Sequence, residues 1–101
     1  MSDPTASWTF FSNHAHVLVC LTRDPLARLR DIAVMVGITE RTATRIVSEL
    51  EAAEVLTRVR EGRRNRYIIN PDAHLRHPVE SHCTVGELLT TILGELPESS
   101  E

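Results

Sequence analysis

Arginine is the residue type that stands out for its chemistry in this sequence. Five arginines, Arg58, Arg60, Arg63, Arg64 and Arg66, lie among ten residues in which Glu61 is the one acid. A guanidinium group keeps its positive charge at any relevant pH. It donates several hydrogen bonds in a fixed plane, which suits phosphate and carboxylate oxygens. This stretch therefore indicates a binding site for an anionic partner.

Positive charge is concentrated in the middle of the chain. The formal net charge of the 101 residues is −3. Between Arg23 and Arg66, however, ten arginines face seven acidic residues, a local net charge of +3, and the remainder carries −6. A local field matters more than the net charge when the partner is a polyanion. We therefore expect the middle of the chain to face such a partner.

Length and composition restrict the class of protein. A chain of 101 residues with 42% apolar residues predicts one small globular domain. No apolar run reaches the roughly 18 to 20 residues needed to span a bilayer. The N-terminal segment lacks the basic region and apolar core of a signal peptide. With two cysteines and no disulfide framework, we expect a cytoplasmic protein with reduced thiols.

Three helices are predicted in the first half of the chain, over residues 13–23, 30–36 and 40–53. Apolar residues recur three or four positions apart in each of them. Ser12 and Thr39 are suited to cap the first and third helices. Gly37 ends the second helix, and we expect it to take a positive φ.

A hairpin and a last helix are predicted in the second half. The segments VLTRVR and RYIIN are short, rich in β-branched residues, and flank EGRRN, so Gly62 should lie at or near the tip of a β-hairpin. The register of the hairpin stays open. Thr84 and Glu87 have the spacing of a capping box, which opens a helix that we expect to run to Leu96, before Pro97.

Two predicted helices joined by a short turn that contains glycine form a helix-turn-helix unit. In RDIAVMVGITERTATRIVSEL, the characteristic positions are Ile32-Ala33, Val36-Gly37-Ile38, Ala43 and Ile46. This segment resembles the helix-turn-helix of winged-helix transcriptional regulators of the MarR and ArsR type. The likeness runs from about Leu29 to Tyr67, because the basic hairpin follows where the family has its wing.

The resemblance implies a fold class and a function. The expected fold is mainly α with a small β-hairpin, a winged helix-turn-helix with a three-helix core, a wing and a C-terminal helix. The expected function is a sequence-specific regulator of transcription that binds double-stranded DNA, as a dimeric repressor. Glu54 departs from the family pattern, since relatives commonly have glycine between the recognition helix and the wing, and this leaves the angle between them open.

The third helix is the expected recognition helix. About 14 residues make it about 21 Å long, and its width suits the major groove, roughly 12 Å across. Arg41 is expected to read a guanine through O6 and N7. By resemblance, Thr39, Thr42 and Arg45 would hold phosphates. The alternative is an amphipathic core helix with a solvated face. The candidate DNA contacts are Thr39, Glu40, Arg41, Thr42, Thr44, Arg45 and Ser48.

The five arginines of the hairpin are the expected wing contacts. They would lie beside the DNA backbone or reach into the minor groove, and each phosphate contact would steepen the log-log salt dependence by about 0.9. The alternative is that the charges only protect an edge strand from aggregation. One or two charges usually meet that need, so five favour nucleic-acid binding.

The expected organisation has five parts. These are an N-terminal arm (1–11), a DNA-binding winged helix-turn-helix (12–70), a loop rich in His and Pro (71–83), a C-terminal dimerisation helix (84–96) and an acidic tail (97–101). MarR- and ArsR-like proteins are usually dimers with terminal helices at the seam, and a dimer would read a pseudo-palindromic operator. The alternative is that the last helix folds back onto a monomer core. The expected seam residues are Trp8, Phe11, Leu88, Leu89, Ile92, Leu93 and Leu96.

Metal sensing is an alternative function. ArsR-like relatives often sense metals near their terminal helices, and imidazole and thiolate suit zinc. The candidate ligands are His74, His77, His82 and Cys83. Against this, no paired-cysteine signature is present, and His14 and His16 would face nearly opposite ways on a helix. We therefore expect neither a metal nor another cofactor.

Catalysis is not expected either. The sequence contains no Gly-x-Ser-x-Gly elbow, no phosphate-binding glycine loop and no metalloprotease motif. A chain of this size offers little room for both a core and a catalytic pocket. A last alternative is a winged helix that only docks another protein. Such a module would show little DNA affinity and no steep salt dependence.

Overall fold

The computed structural model describes residues 8–94 of the chain. Its elements are α1 (Asn13–Arg23), α2 (Leu29–Val36), α3 (Glu40–Ala52), β1 (Leu56–Glu61), β2 (Arg64–Ile69) and α4 (Val85–Leu93). The expected fold class is confirmed: the protein is mainly helical with one antiparallel hairpin, a winged helix-turn-helix. Leu96, Pro97, the acidic tail and residues 1–7 of the expected arm lie outside the described residues. No helix between residues 8 and 94 is long and apolar enough to cross a membrane.

Local signals set most of the helix ends. The Thr39 hydroxyl accepts the Thr42 N–H at 3.0 Å, which is the expected cap of α3. Ser12 occupies the N-cap position of α1, although its side chain makes no capping hydrogen bond. The capping box at the start of α4 is also present. Gly37 ends α2 with a φ of 88°, as expected.

The end of α4 differs from the prediction. The helix ends at Leu93 rather than at Leu96, because Gly94 is its C-cap and takes a φ of 92°. Glycine adopts this left-handed conformation readily, and it commonly ends helices there. The stop signal is therefore Gly94, three residues before Pro97.

One hydrophobic core joins all four helices to the hairpin. Ile32 and Ala33 are the buried residues of α2, the helix that packs on α1 and α3. Val85 and Leu89 bring α4 into the same core. The last helix therefore packs on the core of its own protomer, as expected under the alternative in which it folds back onto a monomer core. Fully or almost fully buried core side chains are Val17, Leu21, Ile32, Ala43, Ile46, Val47, Leu56 and Leu89.

The hairpin is docked onto the helices. β1 and β2 pair from Leu56–Ile69 to Glu61–Arg64, which leaves Gly62 and Arg63 as the two-residue loop. Gly62 has a φ of 65°, which a tight hairpin turn requires of one central residue. The Tyr67 N–H donates to the carbonyl of Pro25 at 3.0 Å. The loop between α1 and α2 therefore supports β2 along its outer edge.

The corner between α3 and β1 holds Glu54 in a conformation that favours glycine. Its φ is 64°, the one positive φ of a non-glycine residue in the described part of the chain. The Val55 N–H donates to Leu50 O at 2.9 Å, and the Glu54 N–H donates to Glu51 O at 3.0 Å. These two bonds form the Schellman motif that ends helices at a left-handed residue. The corner thus keeps the geometry that glycine would give, with a strained residue in its place.

Candidate nucleic-acid interface

The exposed side of α3 is polar over its whole length. Ala43, Ile46 and Val47 are at most 1% exposed, so they fix the helix against the core. The opposite side, which we call the α3 polar face, is open to solvent. It consists of Glu40, Arg41, Thr44, Arg45 and Ser48.

The two threonines at the start of α3 are held by the helix cap. The Thr39 hydroxyl accepts the Thr42 N–H and donates to Thr42 Oγ1 at 2.9 Å. The capping arrangement therefore uses both bonding roles of Thr39 and leaves the Thr42 hydroxyl hydrogen available to another acceptor. Thr44 donates to the Glu40 carbonyl at 3.0 Å, one turn back along the helix.

The two arginines of the α3 polar face differ in their surroundings. Arg41 makes no ion pair with any acidic residue that the structure describes. Arg45 Nη1 lies 3.1 Å from Glu49 Oε2, four residues on. The other oxygen of Glu49 lies 2.7 Å from His14 Nε2 on α1. Part of the charge of Arg45 is thus neutralised, whereas Arg41 is free to bind an outside acceptor.

Strand pairing divides the wing, residues 56–69, into two faces. Arg58 and Arg60 share the inward face with the buried Leu56. Arg64 and Arg66 lie on the outward face. Arg63 is in the loop at the tip. The candidate wing arginines therefore do not form one continuous surface. The strand register determines which of them lie on each face.

Four of the five wing arginines have a partner on the protein. Arg60 Nε donates to Gly62 O at 3.1 Å, and Arg64 Nη1 donates to Leu26 O at 2.9 Å. Carbonyl partners leave the positive charge uncompensated. Arg66 lies 3.8 Å from Glu61, a long and exposed contact that contributes little. The uncompensated charge therefore lies on Arg63 at the tip, on Arg64 and Arg66 of the outward face, and on Arg60 beside the tip.

Arg58 differs from the other wing arginines because a close carboxylate compensates its charge. Its Nη2 atom lies 2.7 Å from Glu51 Oε1 on α3, and its side chain is 30% exposed. Sequence reasoning missed Glu51 as well as Glu49. The spacing of Arg45 and Glu49 is the four-residue spacing of helical ion pairs and could have been recognised. The Glu51–Arg58 pair depends on the hairpin register, which the sequence leaves open.

The expected seam residues that the structure describes fall into three groups. Leu89 is fully buried in its own protomer, so it cannot contact a partner, and its place in the expected seam is wrong. Leu88, Ile92 and Leu93 are half-buried on the same helix. Trp8 is 68% exposed and Phe11 is 39% exposed. Leu96 lies outside the described residues.

Phe10 is an exposed aromatic that the expected seam left out. It is 87% exposed and stands edge-on to Trp8, with ring centroids 5.0 Å apart. The neighbouring surface is a cavity of about 510 Å³ between the start of α1, the end of α3 and α4. Its lining includes Phe11, Leu50 and Leu88. Exposed apolar surface of this kind is typical of an interaction site.

The loop histidines make local bonds. His74 Nδ1 donates to the Ser81 carbonyl at 2.8 Å. His77 Nδ1 accepts the Val79 N–H at 3.1 Å. Within residues 8–94, no three His, Cys, Asp or Glu side chains are placed so that they could hold a metal ion. The described structure therefore does not bring the candidate ligands His74, His77, His82 and Cys83 together as a metal site.

Comparison with known proteins agrees with this geometry. Residues 13–57 match a family model described as winged helix-turn-helix DNA-binding. The matched span runs from the start of α1 into β1, so it contains the whole helix-turn-helix and the first residues of the wing. No curated protein and no solved structure gives a significant match. The match supports a DNA-binding regulator, and it does not separate the MarR type from the ArsR type.

Proposed function

We propose that this chain is a sequence-specific regulator of transcription, MarR- or ArsR-like, that binds double-stranded DNA as a homodimeric repressor. One observation carries the proposal. Every residue of the α3 polar face is exposed, and the helix is joined at its end to a wing in which Arg58 alone has its charge compensated by a close carboxylate among the described residues. A rigid helix beside a cationic hairpin can engage a groove and the neighbouring phosphates together.

The major groove is assigned to α3. Arg41 lies in its first turn, exposed and without an acidic partner among residues 8–94, so it can donate two hydrogen bonds to guanine O6 and N7. The N-terminus of the helix and the free Thr42 hydroxyl hydrogen suit a phosphate. Arg45 contacts a phosphate either after its ion pair with Glu49 breaks or by donating to Glu49 and the phosphate at the same time. Glu40, Thr44 and Ser48 complete the contact surface.

The wing is assigned to the backbone or the minor groove. Arg63 at the tip, with Arg60, Arg64 and Arg66 beside it, supplies charge for phosphate contacts. Arginine also suits a narrow minor groove, where the negative potential is strongest. The wing contributes mainly affinity and register, whereas base contacts from α3 give sequence preference.

A homodimer is supported by the apolar surface around α4. Phe10 and Leu88 line the cavity, Trp8 stands edge-on to Phe10, and the half-buried Ile92 lies one turn after Leu88 on α4. Burying this surface against a second copy removes apolar area from water. A two-fold dimer of this kind reads half-sites about 34 to 36 Å apart, or a multiple of that distance.

Selection of bound sites from random duplex DNA tests the proposal. We expect an enriched inverted repeat whose affinity falls steeply between two salt concentrations. Enrichment of a single half-site contradicts the dimer and leaves DNA binding intact. No enrichment, together with a flat salt dependence, contradicts the regulator and indicates a winged helix that docks a protein.

A further inference from the structure

The ion pair between Glu51 and Arg58 crosses the corner at which the recognition helix meets the wing. Glu51 lies in the last turn of α3, and Arg58 is the third residue of β1. The two charged atoms are 2.7 Å apart, and both side chains are partly buried. Between them stands Glu54, the strained residue of the corner. The pair therefore connects the two elements that must reach the DNA together.

The surroundings of Arg58 do not suit a phosphate contact. Its side chain lies on the inward face of the hairpin, opposite Tyr67 in the register. Its charge is compensated by Glu51, whereas Arg60 and Arg64 donate to carbonyl oxygens. A phosphate could recruit Arg58 only by breaking the shortest arginine–carboxylate contact that the described structure contains.

Contacts from other residues must stabilise the corner between α3 and β1, because Glu54 itself disfavours the backbone conformation that it adopts there. Glutamate disfavours the left-handed conformation, so Glu54 gives the turn no intrinsic preference for this geometry. Asn70 provides one support, since its Nδ2 donates to Glu54 O at 3.3 Å. The Glu51–Arg58 pair adds a side-chain contact from the helix side to this bond and to the backbone bonds of the corner. Partly exposed ion pairs contribute little to the stability of the fold. We therefore expect this pair to act by setting the orientation of the wing relative to α3.

We propose that Arg58 is a positioning residue: through Glu51 it fixes the wing relative to the α3 polar face and so decides which phosphates the wing reaches. This inference rests on the proposed DNA-binding function. It assigns Arg58 a role different from that of the other four wing arginines. It also gives an acidic residue, Glu51, a favourable role in DNA binding. From its negative charge alone, Glu51 would be expected to weaken the binding of a polyanion.

The sign of the Glu51 effect is the decisive test. Affinity for the selected operator is measured for Arg58→Gln, Glu51→Gln and the double exchange Glu51→Arg with Arg58→Glu. Glu61→Gln is the matched control, because it also removes an acid next to the wing arginines. We expect the first two variants each to weaken binding by about 3- to 10-fold. The double exchange should recover most of that loss, and Glu61→Gln should tighten binding.

The opposite pattern overturns the inference. If Glu51→Gln tightens binding as Glu61→Gln does, and Arg58→Gln alone lowers the salt slope by about 0.9, then Arg58 is an ordinary phosphate contact. Should Arg58→Gln fail to fold, Glu51→Gln decides the matter alone, since it removes only a partly exposed carboxylate.

A measurement without DNA separates this inference from the proposed function. In the free protein, NMR order parameters of the amides from Arg60 to Arg66 should fall in Arg58→Gln and Glu51→Gln and recover in the double exchange. Unchanged order parameters overturn the positioning role even if the wild type binds DNA. A wild type that binds no DNA overturns the proposed function, whatever the order parameters show.

Discussion

The Nε2 atom of His14 lies 2.7 Å from Oε1 of Glu49, which links the first turn of α1 to α3. The second oxygen of the same carboxylate accepts from Arg45 at 3.1 Å. The hydrogen bond with His14 and then the one with Arg45 lower the pKa of Glu49 below its usual value of 4.5. Glu49 therefore joins Arg45, a proposed DNA contact, to the first turn of α1.

Stability should depend on this carboxylate in acid. A group whose pKa is lower in the folded chain stabilises the fold above its unfolded pKa, and this contribution disappears as the pH falls through the folded pKa. We expect Glu49→Gln to be less stable than the wild type at neutral pH. The difference should shrink as the pH falls below about 4.5 and disappear once the pH is below the lowered folded pKa of Glu49. Urea unfolding at several pH values measures it, and a difference that persists in strong acid contradicts the prediction.

Base preference should depend on Arg41. Arg41→Ala removes the two donors expected at guanine, so discrimination between the operator and a site with that guanine changed should fall by on the order of 10-fold or more. Arg45→Ala is the matched control and should weaken binding similarly on every sequence. Titrations with the two DNA sites measure both effects. An equal loss on both sites for Arg41→Ala would show that it binds phosphate.

Salt dependence should depend on the wing. Arg63→Ala combined with Arg64→Ala should weaken binding on all sequences and reduce the log-log salt slope by up to about 1.8, about 0.9 for each lost phosphate contact. Arg23→Ala, which changes an exposed arginine at the end of α1 and outside the wing, controls for the change in net charge. A slope that the double variant leaves unchanged removes the wing from the interface.

Relief of the strain at Glu54 should stabilise the fold. Glu54→Gly removes the penalty of a left-handed non-glycine residue and should raise the free energy of unfolding by about 1 kcal/mol, after the entropy lost by glycine. Ala52→Gly, two residues earlier in the helix, should instead lower it by about 0.5–1 kcal/mol. Urea denaturation of both variants provides the measurement. The same sign for both would mean that Glu54 is not strained.

Dimerisation should depend on the half-buried side of α4. Leu88→Glu with Ile92→Glu should give a folded monomer in sedimentation velocity, because neither residue is fully buried in the protomer. Leu89→Ala tests the other side of the helix and should lower stability by about 2–5 kcal/mol, as deletions in a core do. A wild type that sediments as a monomer contradicts the proposed seam.

Local rules in the sequence predicted much of this fold. The Thr39 cap, the left-handed Gly37 and the Gly62 turn each depend on a few neighbouring residues, so the order of the elements and most helix ends could be predicted from the sequence. The α3 polar face was predicted for the same reason, since helical periodicity alone separates it from the core. Its binding role stays a prediction.

Tertiary contacts account for what the sequence left open or placed wrongly. One apolar stripe on α4 can serve a core or a seam, and only packing assigns Leu89 to the core. The faces of the wing arginines depend on strand register, which a shift of one residue would reverse. The end of α4, in contrast, depends on a local signal that the sequence contains. Gly94 is a stronger local stop for the helix than the more distant Pro97.

The bond between Tyr67 and Pro25 gives the wing a natural reporter. Adjacent residues of a strand point their N–H groups to opposite edges, so Ile68 donates into the hairpin while Tyr67 donates away from it to the α1–α2 loop. Deuterium should therefore enter the Tyr67 amide whenever the hairpin lifts from the helices, and the Ile68 amide only when the hairpin itself opens. The ratio of the two exchange rates measures how often the wing detaches as an intact unit.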